Sequence, residues 1–449
     1  MLKYCLILII PLFAFITTYL RHIDHVNQYK QDDNLKTFKD LELIDKAPLY
    51  YYLYQDPTNK SDQKREATIP LLAENNFTDL ILSPLNKQLN INEKVTYALG
   101  TYSEAIDQID PRLMSEAQLS AFLFKAQKAG LKTHLSINLN SLHSAVTSSK
   151  ERLELKDFFR KNAKQCPSDV IYDPNCYFPY SIDFNDQFPS TLKYLYESLN
   201  AVWISKGFNG AFLLQGGGYH QESIKYFRRN LNKDHKESIS LNMIFENRNA
   251  NIFQQYVEKK LIDDLFLYNF PFFIKKLLDK EINQEELKVY LEQTFSLNNE
   301  RLIIPATLLY MGIDNFLGNK PELIKKFWLF AISSGGKILT SNFNDLKKAK
   351  PYLEIYQKHY KRFRGYLKVI KTANENIFCF SKNQRKNEEA FISSLTCLNL
   401  AQSSQELTIN NLKSIWKDGY TNILTNKTSP ATDNIGTLLP HDVVILLGN

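Results

Sequence analysis

Few of the residue types that commonly carry chemistry occur at the spacings that chemistry requires. The eight histidines include no HxxxH pair and no His/Cys cluster with zinc-ligand spacing. No GxSxG motif is present to place a serine nucleophile on a sharp turn. Gly216-Gly217-Gly218 lacks the lysine of a phosphate-binding loop, so it indicates a mobile turn. These patterns predict no bound metal ion and no cofactor.

Charge and composition exclude several classes of protein. Lys and Arg number 55 and Asp and Glu 48, so the net charge is +7 over 449 residues. This excess is mild and dispersed, and we expect no nucleic-acid partner. Lys361-Arg362 falls on a predicted helix, where it indicates a solvated face. With 44% hydrophobic and 23% charged residues, the chain is neither disordered nor a polytopic transporter.

The N-terminus carries the clearest local signal. An uncharged apolar run over residues 5–20 follows Lys3 and ends at Arg21. A cleaved signal peptide and an uncleaved membrane anchor both have such a run, but the lack of an A-x-A-like pattern of small residues before Arg21 favours the anchor. Residues 21–46 are polar and indicate a stalk. We expect a single-pass membrane protein of the secretory pathway or cell surface, with its C-terminal part extracellular; the alternative is a secreted protein.

Cysteines and glycosylation sequons fit the same compartment. Cys166 and Cys176 flank two prolines and predict a loop disulfide. Cys379 and Cys397 flank a polar turn, so a disulfide across a hairpin and a pair of reduced thiols both stay open. The sequons lie at Asn59, Asn76 and Asn426.

The elements that must position any site follow an alternating pattern. Helical spacing of apolar residues predicts helices over residues 116–129, 190–206, 322–332 and 351–369. Between such segments lie eight short apolar runs, at residues 50–54, 79–82, 132–139, 210–214, 240–245, 265–268, 302–305 and 337–340. Eight buried strands that alternate with helices predict a (β/α)8 TIM barrel over residues 47–371.

The last part of the chain has a different pattern. Short apolar runs separated by polar turns occur at residues 376–380, 390–400, 407–409 and 443–447. Such runs are typical of a small antiparallel sheet. We therefore predict an all-β, sandwich-like C-terminal domain over residues 372–449.

This order of segments resembles the alpha-amylase superfamily, the family 13 glycoside hydrolases. Within it, the chain is most similar to the solute-carrier family 3 heavy subunits of heteromeric amino acid transporters. The resemblance covers residues 47–449 and rests on motifs in the family's order, at residues 79–85 (DLILSPL), 109–111 (IDP), 129–135 (AGLKTHL), 181–185 (SIDFN), 207–210 (GFNG) and 332–338 (ISSGGKI).

The resemblance also implies that the catalytic groups are missing. Where the family has its nucleophilic Asp after strand four, this chain has Leu214, and Phe212 replaces the family's Arg. In the strand-three motif, Ser136 and Ser141 replace Asp and His, and Asn140 alone is kept. Glu246 falls near the family's general acid and is the one carboxylate that could survive there. A retaining glycosidase needs two carboxyl groups, so we predict a degenerate enzyme.

By resemblance, the chain would act as the accessory heavy subunit of a transporter, aiding the folding and surface delivery of a light subunit. Heavy subunits carry a cysteine just outside the membrane, but residues 21–165 contain none. Any light-subunit partner would therefore be held non-covalently. Two alternatives stay open: a divergent or secreted glycoside hydrolase acting on carbohydrate, and a secreted sugar-binding remnant.

Overall fold

A computed structural model describes most of the chain from Ala47 onward. The described residues are 47–54, 62–83, 85–88, 103–143, 146, 155, 157–160, 164–165, 176–177, 181–236, 238–245, 256, 259–279, 281–295, 302–305, 313–341, 343–386 and 389–448. The predicted anchor at residues 5–20 and the predicted stalk at residues 21–46 lie outside this part.

Eight parallel strands close into a barrel, which confirms the predicted fold class. Strands are numbered along the chain, and the barrel strands are β1 (Leu49–Tyr54), β2 (Asp79–Ser83), β3 (Lys132–Ile137), β8 (Gly210–Leu213), β9 (Ser240–Phe245), β10 (Leu265–Leu267), β11 (Leu302–Pro305) and β12 (Lys337–Thr340). Each strand pairs with the next in sequence order, and β12 pairs with β1 to close the ring. Buried residues point both into the barrel and out toward the helices, which explains why these strands are continuous apolar runs.

Helices surround the barrel. They are α1 (Asp62–Glu74), α2 (Glu116–Lys128), α3 (Pro189–Glu197), α4 (Gln221–His235), α5 (Phe270–Leu278), α6 (Gln284–Phe295), α7 (Ile313–Phe316), α8 (Pro321–Ser333) and α9 (Phe343–Phe363). A capping box of Ser115 and Gln118 starts α2. The helix predicted over residues 190–206 continues beyond α3 as a π-helical segment, Ser198–Trp203, and a 3-10 turn, Ile204–Lys206. The buried Trp203 then donates from Nε1 to the Ile106 carbonyl, 2.7 Å away.

Between β3 and α3 the chain makes a short excursion from the barrel. In it, β4 (Ser141–His143) pairs antiparallel with β7 (Ser181–Asp183), and β5 (Lys164–Gln165) pairs with β6 (Cys176–Tyr177). These small sheets bring residues from the excursion onto the mouth of the barrel, where the strands end.

The C-terminal domain is built on an antiparallel sheet. Its elements are β13 (Tyr366–Ile370), β14 (Ile377–Lys386), β15 (Glu389–Asn399), β16 (Gln405–Thr408), α10 (Leu412–Ile415), β17 (Tyr420–Asn422), β18 (Lys427–Ser429), β19 (Asn434–Leu438) and β20 (Val443–Gly448). Six strands form one sheet in the order β13-β14-β15-β20-β17-β18, and β16 and β19 form a second. A separate apolar cluster joins the two sheets, and the domain is antiparallel and mostly β-strand, as predicted.

The predicted boundary between the two domains needs one correction. The helix predicted over residues 351–369 ends at Phe363, and residues 366–370 form β13 of the C-terminal sheet. Gly365 makes the break, because it has a φ of +98° and a Cβ there would lie 2.2 Å from the Asn383 carbonyl oxygen. The C-terminal domain therefore begins at Tyr366 and not at residue 372.

Candidate functional site at the barrel mouth

The mouth of the barrel is the place to look for chemistry, since active sites of this fold lie where the strands end. Phe212 lies on β8 and Leu214 directly follows it, and both side chains are fully buried. The Leu214 amide donates to the Ile137 carbonyl at 2.9 Å, so it continues the barrel ladder. Both side chains belong to one apolar cluster inside the barrel, made of Tyr50, Tyr52, Ile81, Phe212, Leu214, Ile244, Phe266, Ile303 and Leu339.

Beside this apolar cluster, neutral amides and hydroxyls form a buried network. Asn138 Nδ2 donates to Ser141 Oγ at 3.0 Å, and Ser141 Oγ lies 3.2 Å from Gln215 Oε1. The backbone N–H of Asn140 donates a hydrogen bond to Asn138 Oδ1 at 2.9 Å. Ser136 Oγ lies 3.5 Å from the Tyr52 hydroxyl. These groups hydrogen-bond to one another, and they cannot act as a carboxylate nucleophile or a general acid.

The triple-glycine turn packs against both groups and is not the mobile turn that its composition suggested. Gly216 and Gly218 are buried in a 3-10 turn that follows Gln215, which has a φ of +56°. A Cβ on Gly216 would lie 2.4 Å from the Met243 side chain. A Cβ on Gly218 would lie 2.5 Å from Asn140 Nδ2. Glycine is needed here because the backbone itself fills the space over the strand ends.

Inside the described barrel, charged groups lie at the opposite end, where the strands begin. Lys337 Nζ lies 2.6 and 2.7 Å from the two carboxylate oxygens of Asp264, and the Tyr50 hydroxyl donates to Asp264 at 2.9 Å. His134 Nε2 lies 2.7 Å from Asp79 Oδ1. Burial raises the pKa of Asp264, and the charge of Lys337 only partly opposes this. Burial also disfavours charged Lys337, but Asp264 outweighs it and raises the Lys337 pKa.

A second charged cluster does lie at the mouth, on the excursion and the start of α4. Asp186 is buried and contacts Arg160 Nη2 at 2.8 Å, His220 Nδ1 at 2.7 Å and Ser223 Oγ at 2.6 Å. It also accepts the His220 backbone amide at 3.1 Å. Burial alone would raise the Asp186 pKa, but the hydrogen bonds from His220 and Ser223 outweigh it and lower the pKa.

This second cluster is not arranged as a nucleophile and its base. The Ser223 hydroxyl donates to the carboxylate of Asp186 and not to the His220 ring. His220 Nε2 instead lies 3.0 Å from the side-chain Nε2 of Gln187. A catalytic Ser-His-Asp triad needs the imidazole between the serine and the carboxylate. The cluster fastens the excursion to the start of α4.

Several predicted site residues lie outside the described part of the chain. They are Glu246, Asn59 and Cys166, and the side chain of Cys176 is likewise not described. Cys379 and Cys397 are directly opposed on β14 and β15, fully buried, and joined by a disulfide. Asn76 and Asn426 are exposed, each with a positive φ, and their glycosylation stays a prediction.

The described residues contain no group of three or more His, Cys, Asp or Glu side chains placed to hold a metal ion. Across the same residues, no helix combines the length and the apolarity needed to cross a bilayer.

Sequence reasoning missed both charged clusters. Asp186 and His220 are 34 positions apart and share no motif. The barrel-base cluster did leave a signal, because Asp79 and Lys337 open apolar strands. A charge at the start of a buried strand must find a partner across the barrel.

Comparison with known proteins places the fold. No family model matches the chain, and no curated protein matches it. Among solved structures, an alpha-amylase from Geobacillus thermoleovorans complexed with acarbose has a TM-score of 0.66 at 14% identity, covering 92% of this chain and 98% of its own. An alpha-amylase from Malbranchea cinnamomea has a TM-score of 0.67 at 10% identity, covering 89% and 96%.

A hydrolase of cyclic maltosyl-maltose from Arthrobacter globiformis is also similar, with a TM-score of 0.63 at 11% identity, covering 90% of this chain and 99% of its own. These similarities confirm the alpha-amylase fold over the barrel and the C-terminal domain. At such low sequence identities the similarities show the fold and not the activity. The resemblance to transporter heavy subunits stays a prediction from the sequence.

Proposed function

We propose that this protein is a catalytically inactive member of the alpha-amylase fold that acts by binding and supporting a partner. The observation that carries the proposal is the filling of the barrel mouth. Fully buried Leu214 and Phe212 stand at the positions that, by resemblance, belong to the nucleophile and its arginine. A leucine cannot attack an anomeric carbon, and a phenylalanine cannot donate a hydrogen bond to a carboxylate.

The distribution of charge supports the same proposal. In the described barrel interior, carboxylates are at the base, where Asp264 and Asp79 are engaged by Lys337 and His134. The base of this fold serves stability, whereas catalysis is found at the mouth. The Asp186 carboxylate at the mouth forms an ion pair with Arg160 and accepts the backbone N–H of His220 at the start of α4.

For the partner, we propose the light subunit of an amino acid transporter, held without a disulfide. The sequence resemblance to heavy subunits supports this choice, together with the apolar run at residues 5–20. The second candidate is a divergent glycoside hydrolase. It is favoured by the structural similarity to the amylases and the maltosyl-maltose hydrolase.

Hydrolysis assays separate the two candidates. We expect the purified protein to release no sugar from maltose, starch or sucrose. Its rate should equal that of a Glu246→Gln variant, because one carboxylate without a partner cannot complete either glycosidase mechanism. Turnover of any α-glucoside that Glu246→Gln abolishes would establish the hydrolase instead. An active alpha-amylase assayed in parallel verifies the substrates.

A further inference from the structure

The barrel and the C-terminal domain each send a buried lysine across the seam where the two domains pack together. Lys326 on α8 donates from Nζ to the Asn399 carbonyl at 2.5 Å, and its Nζ lies 3.1 Å from His441 Nδ1. Lys382 on β14 reaches in the other direction. Its Nζ donates at 2.7 Å to the carbonyl of Ser334, the residue that follows α8. Each domain therefore places an amine against the backbone of the other.

The surroundings of Lys382 suit an uncharged amine. Its side chain is fully buried, and the Phe295 ring of α6 lies with its centroid 5.6 Å from Nζ. A Cβ on Gly335 would lie 2.8 Å from Nζ, so the amine packs directly against the backbone after α8. A protonated amine has three N–H donors, and the described structure gives this one a single hydrogen-bond acceptor, the Ser334 carbonyl. Protonation therefore leaves two buried donors unsatisfied.

The charged side chains around Lys382 do not compensate for its burial. Among the described residues, no carboxylate forms an ion pair with it. Glu292 on α6 instead accepts the Val369 N–H at 3.2 Å. Lys368 on β13 and Arg362 at the end of α9 are exposed, so water screens their charges. The seam and the connection between the domains also carry Lys326, Arg364, Tyr366 and His441, none of which is negatively charged at neutral pH.

Folding therefore changes the protonation of Lys382. Burial lowers the pKa of the Lys382 amine well below its usual value, and no neighbouring charge contributes to the shift. In the unfolded chain a lysine has a pKa of about 10.4. Between these two pKa values the unfolded state binds more protons than the folded state. The free energy of unfolding therefore falls as the pH falls through this window.

We propose that Lys382 makes the seam between the barrel and the C-terminal domain a pH-dependent contact. The seam accommodates the amine as a neutral group. Uptake of a proton leaves its N–H donors unsatisfied, and β14 then separates locally from the end of α8. This device belongs to the joint between the domains, so it operates whether or not the barrel mouth is catalytic.

Urea unfolding of the full chain at pH 7, 8, 9 and 10 tests the proposal with two variants. Lys382→Met removes the amine, and Lys382→Gln keeps a neutral donor for the Ser334 carbonyl. We expect both variants to gain stability relative to the natural protein as the pH falls from 10. The gain should approach about tenfold in the folding equilibrium constant for each pH unit within the window. Lys368→Met is the matched control, because Lys368 is exposed on the neighbouring strand, and it should show no such gain.

Hydrogen exchange at pH 7 locates the effect. Amides of β14 and of the end of α8 should exchange at least about tenfold more slowly in Lys382→Gln than in the natural protein, because the seam then opens less often. Amides of β8 should change less. A stability difference that is constant with pH would overturn the proposal, since it would give Lys382 a purely structural role. Equal slowing of exchange in β8, or the same pH dependence in Lys368→Met, would overturn it as well.

Discussion

Asp186 joins two parts of the chain, the excursion and the start of α4, through one side chain. Its two oxygens receive the Arg160 guanidinium from the excursion, and the His220 ring, the His220 amide and the Ser223 hydroxyl from the start of α4. The lowered pKa of Asp186 records that these donors favour the charged form. A carboxyl group whose pKa is lowered by folding stabilises the folded state above its unfolded pKa, and this stability is lost as the pH falls through the folded value.

We therefore predict that Asp186→Asn lowers the free energy of unfolding at pH 7 by about 1–3 kcal/mol, the cost of unsatisfied buried donors. At pH 3 and below, the two proteins should approach one another, because the natural carboxyl group is then also being neutralised. Urea unfolding at pH 7, 5 and 3 measures this, with the exposed Glu354→Gln as control. A constant difference at every pH would show that the charge of Asp186 is immaterial.

Lys337 and Asp264 form the central pair at the barrel base, and both are largely screened from water. Removal of one partner leaves the other charge buried without compensation. We predict that Lys337→Met lowers the free energy of unfolding by about 3–5 kcal/mol. The double variant Lys337→Met/Asp264→Leu should recover much of this loss, because it removes both charges.

Denaturant unfolding of Lys337→Met, Asp264→Leu and the double variant gives the coupling between the two residues. Lys193→Met breaks the exposed i,i+4 pair with Glu197 and is the matched control, for which we expect almost no change. Equal losses in the single and double variants would mean that Asp264 does not depend on Lys337 for its charge.

At the scale of elements, β14 and β15 carry the disulfide that the sequence left undecided. Cys379 and Cys397 face one another in the register of this hairpin. The bond closes a loop of 18 residues, so its loss should cost about 3 kcal/mol in the chain-entropy description. We predict that Cys379→Ser/Cys397→Ser unfolds at lower urea and keeps the fold.

Peptide mapping without reductant tests both cysteine pairs in one experiment. It should recover Cys379 linked to Cys397, and, from the sequence, Cys166 linked to Cys176. Free thiols at all four positions would contradict both disulfides and weaken the assignment to an oxidising compartment.

Helices and strands were predicted correctly where apolar residues repeat over a long segment. They were predicted wrongly where a single tertiary contact sets the end or the type of an element. The eight barrel strands and α2 were predictable because apolar spacing reports burial directly. The break after Phe363 was missed because it depends on the approach of Gly365 to Asn383, a contact between segments. The π-helical segment ending at Trp203 was missed for the same reason, since its hydrogen bond to Ile106 is tertiary.

For the whole molecule, the fold was predictable and the barrel mouth only in part. The order of the barrel strands could be predicted, because strands and helices alternate along the sequence and each barrel strand pairs with the next one. The positions of Phe212 and Leu214 also follow, since Phe212 lies on β8 and Leu214 directly follows this strand. The clusters around Asp186 and Asp264 join residues from distant elements, and only the closed barrel brings them together.

The last prediction concerns how the whole protein is held in the cell. We expect residues 5–20 to stay attached as a membrane anchor, because no small-residue cleavage site precedes Arg21. The run is short for a bilayer, so Lys3 and Arg21 should extend to opposite interfaces. The chain then reaches the base of the barrel at Ala47, after the stalk. Cys5 would lie toward the cytosolic side, so a transporter light subunit must be held non-covalently.

Membrane fractionation and gels without reductant check this arrangement. The protein should stay with membranes after an alkaline wash, and any co-purified transporter subunit should separate from it on a denaturing gel without reductant. Cys5→Ser should behave in the same way. Two results would contradict us: recovery of the barrel in culture medium with a new N-terminus near residue 20, which would make it secreted, or a reductant-sensitive heterodimer that Cys5→Ser abolishes. The second result would place Cys5 within reach of the partner, and the heavy-subunit likeness would then extend to a covalent link.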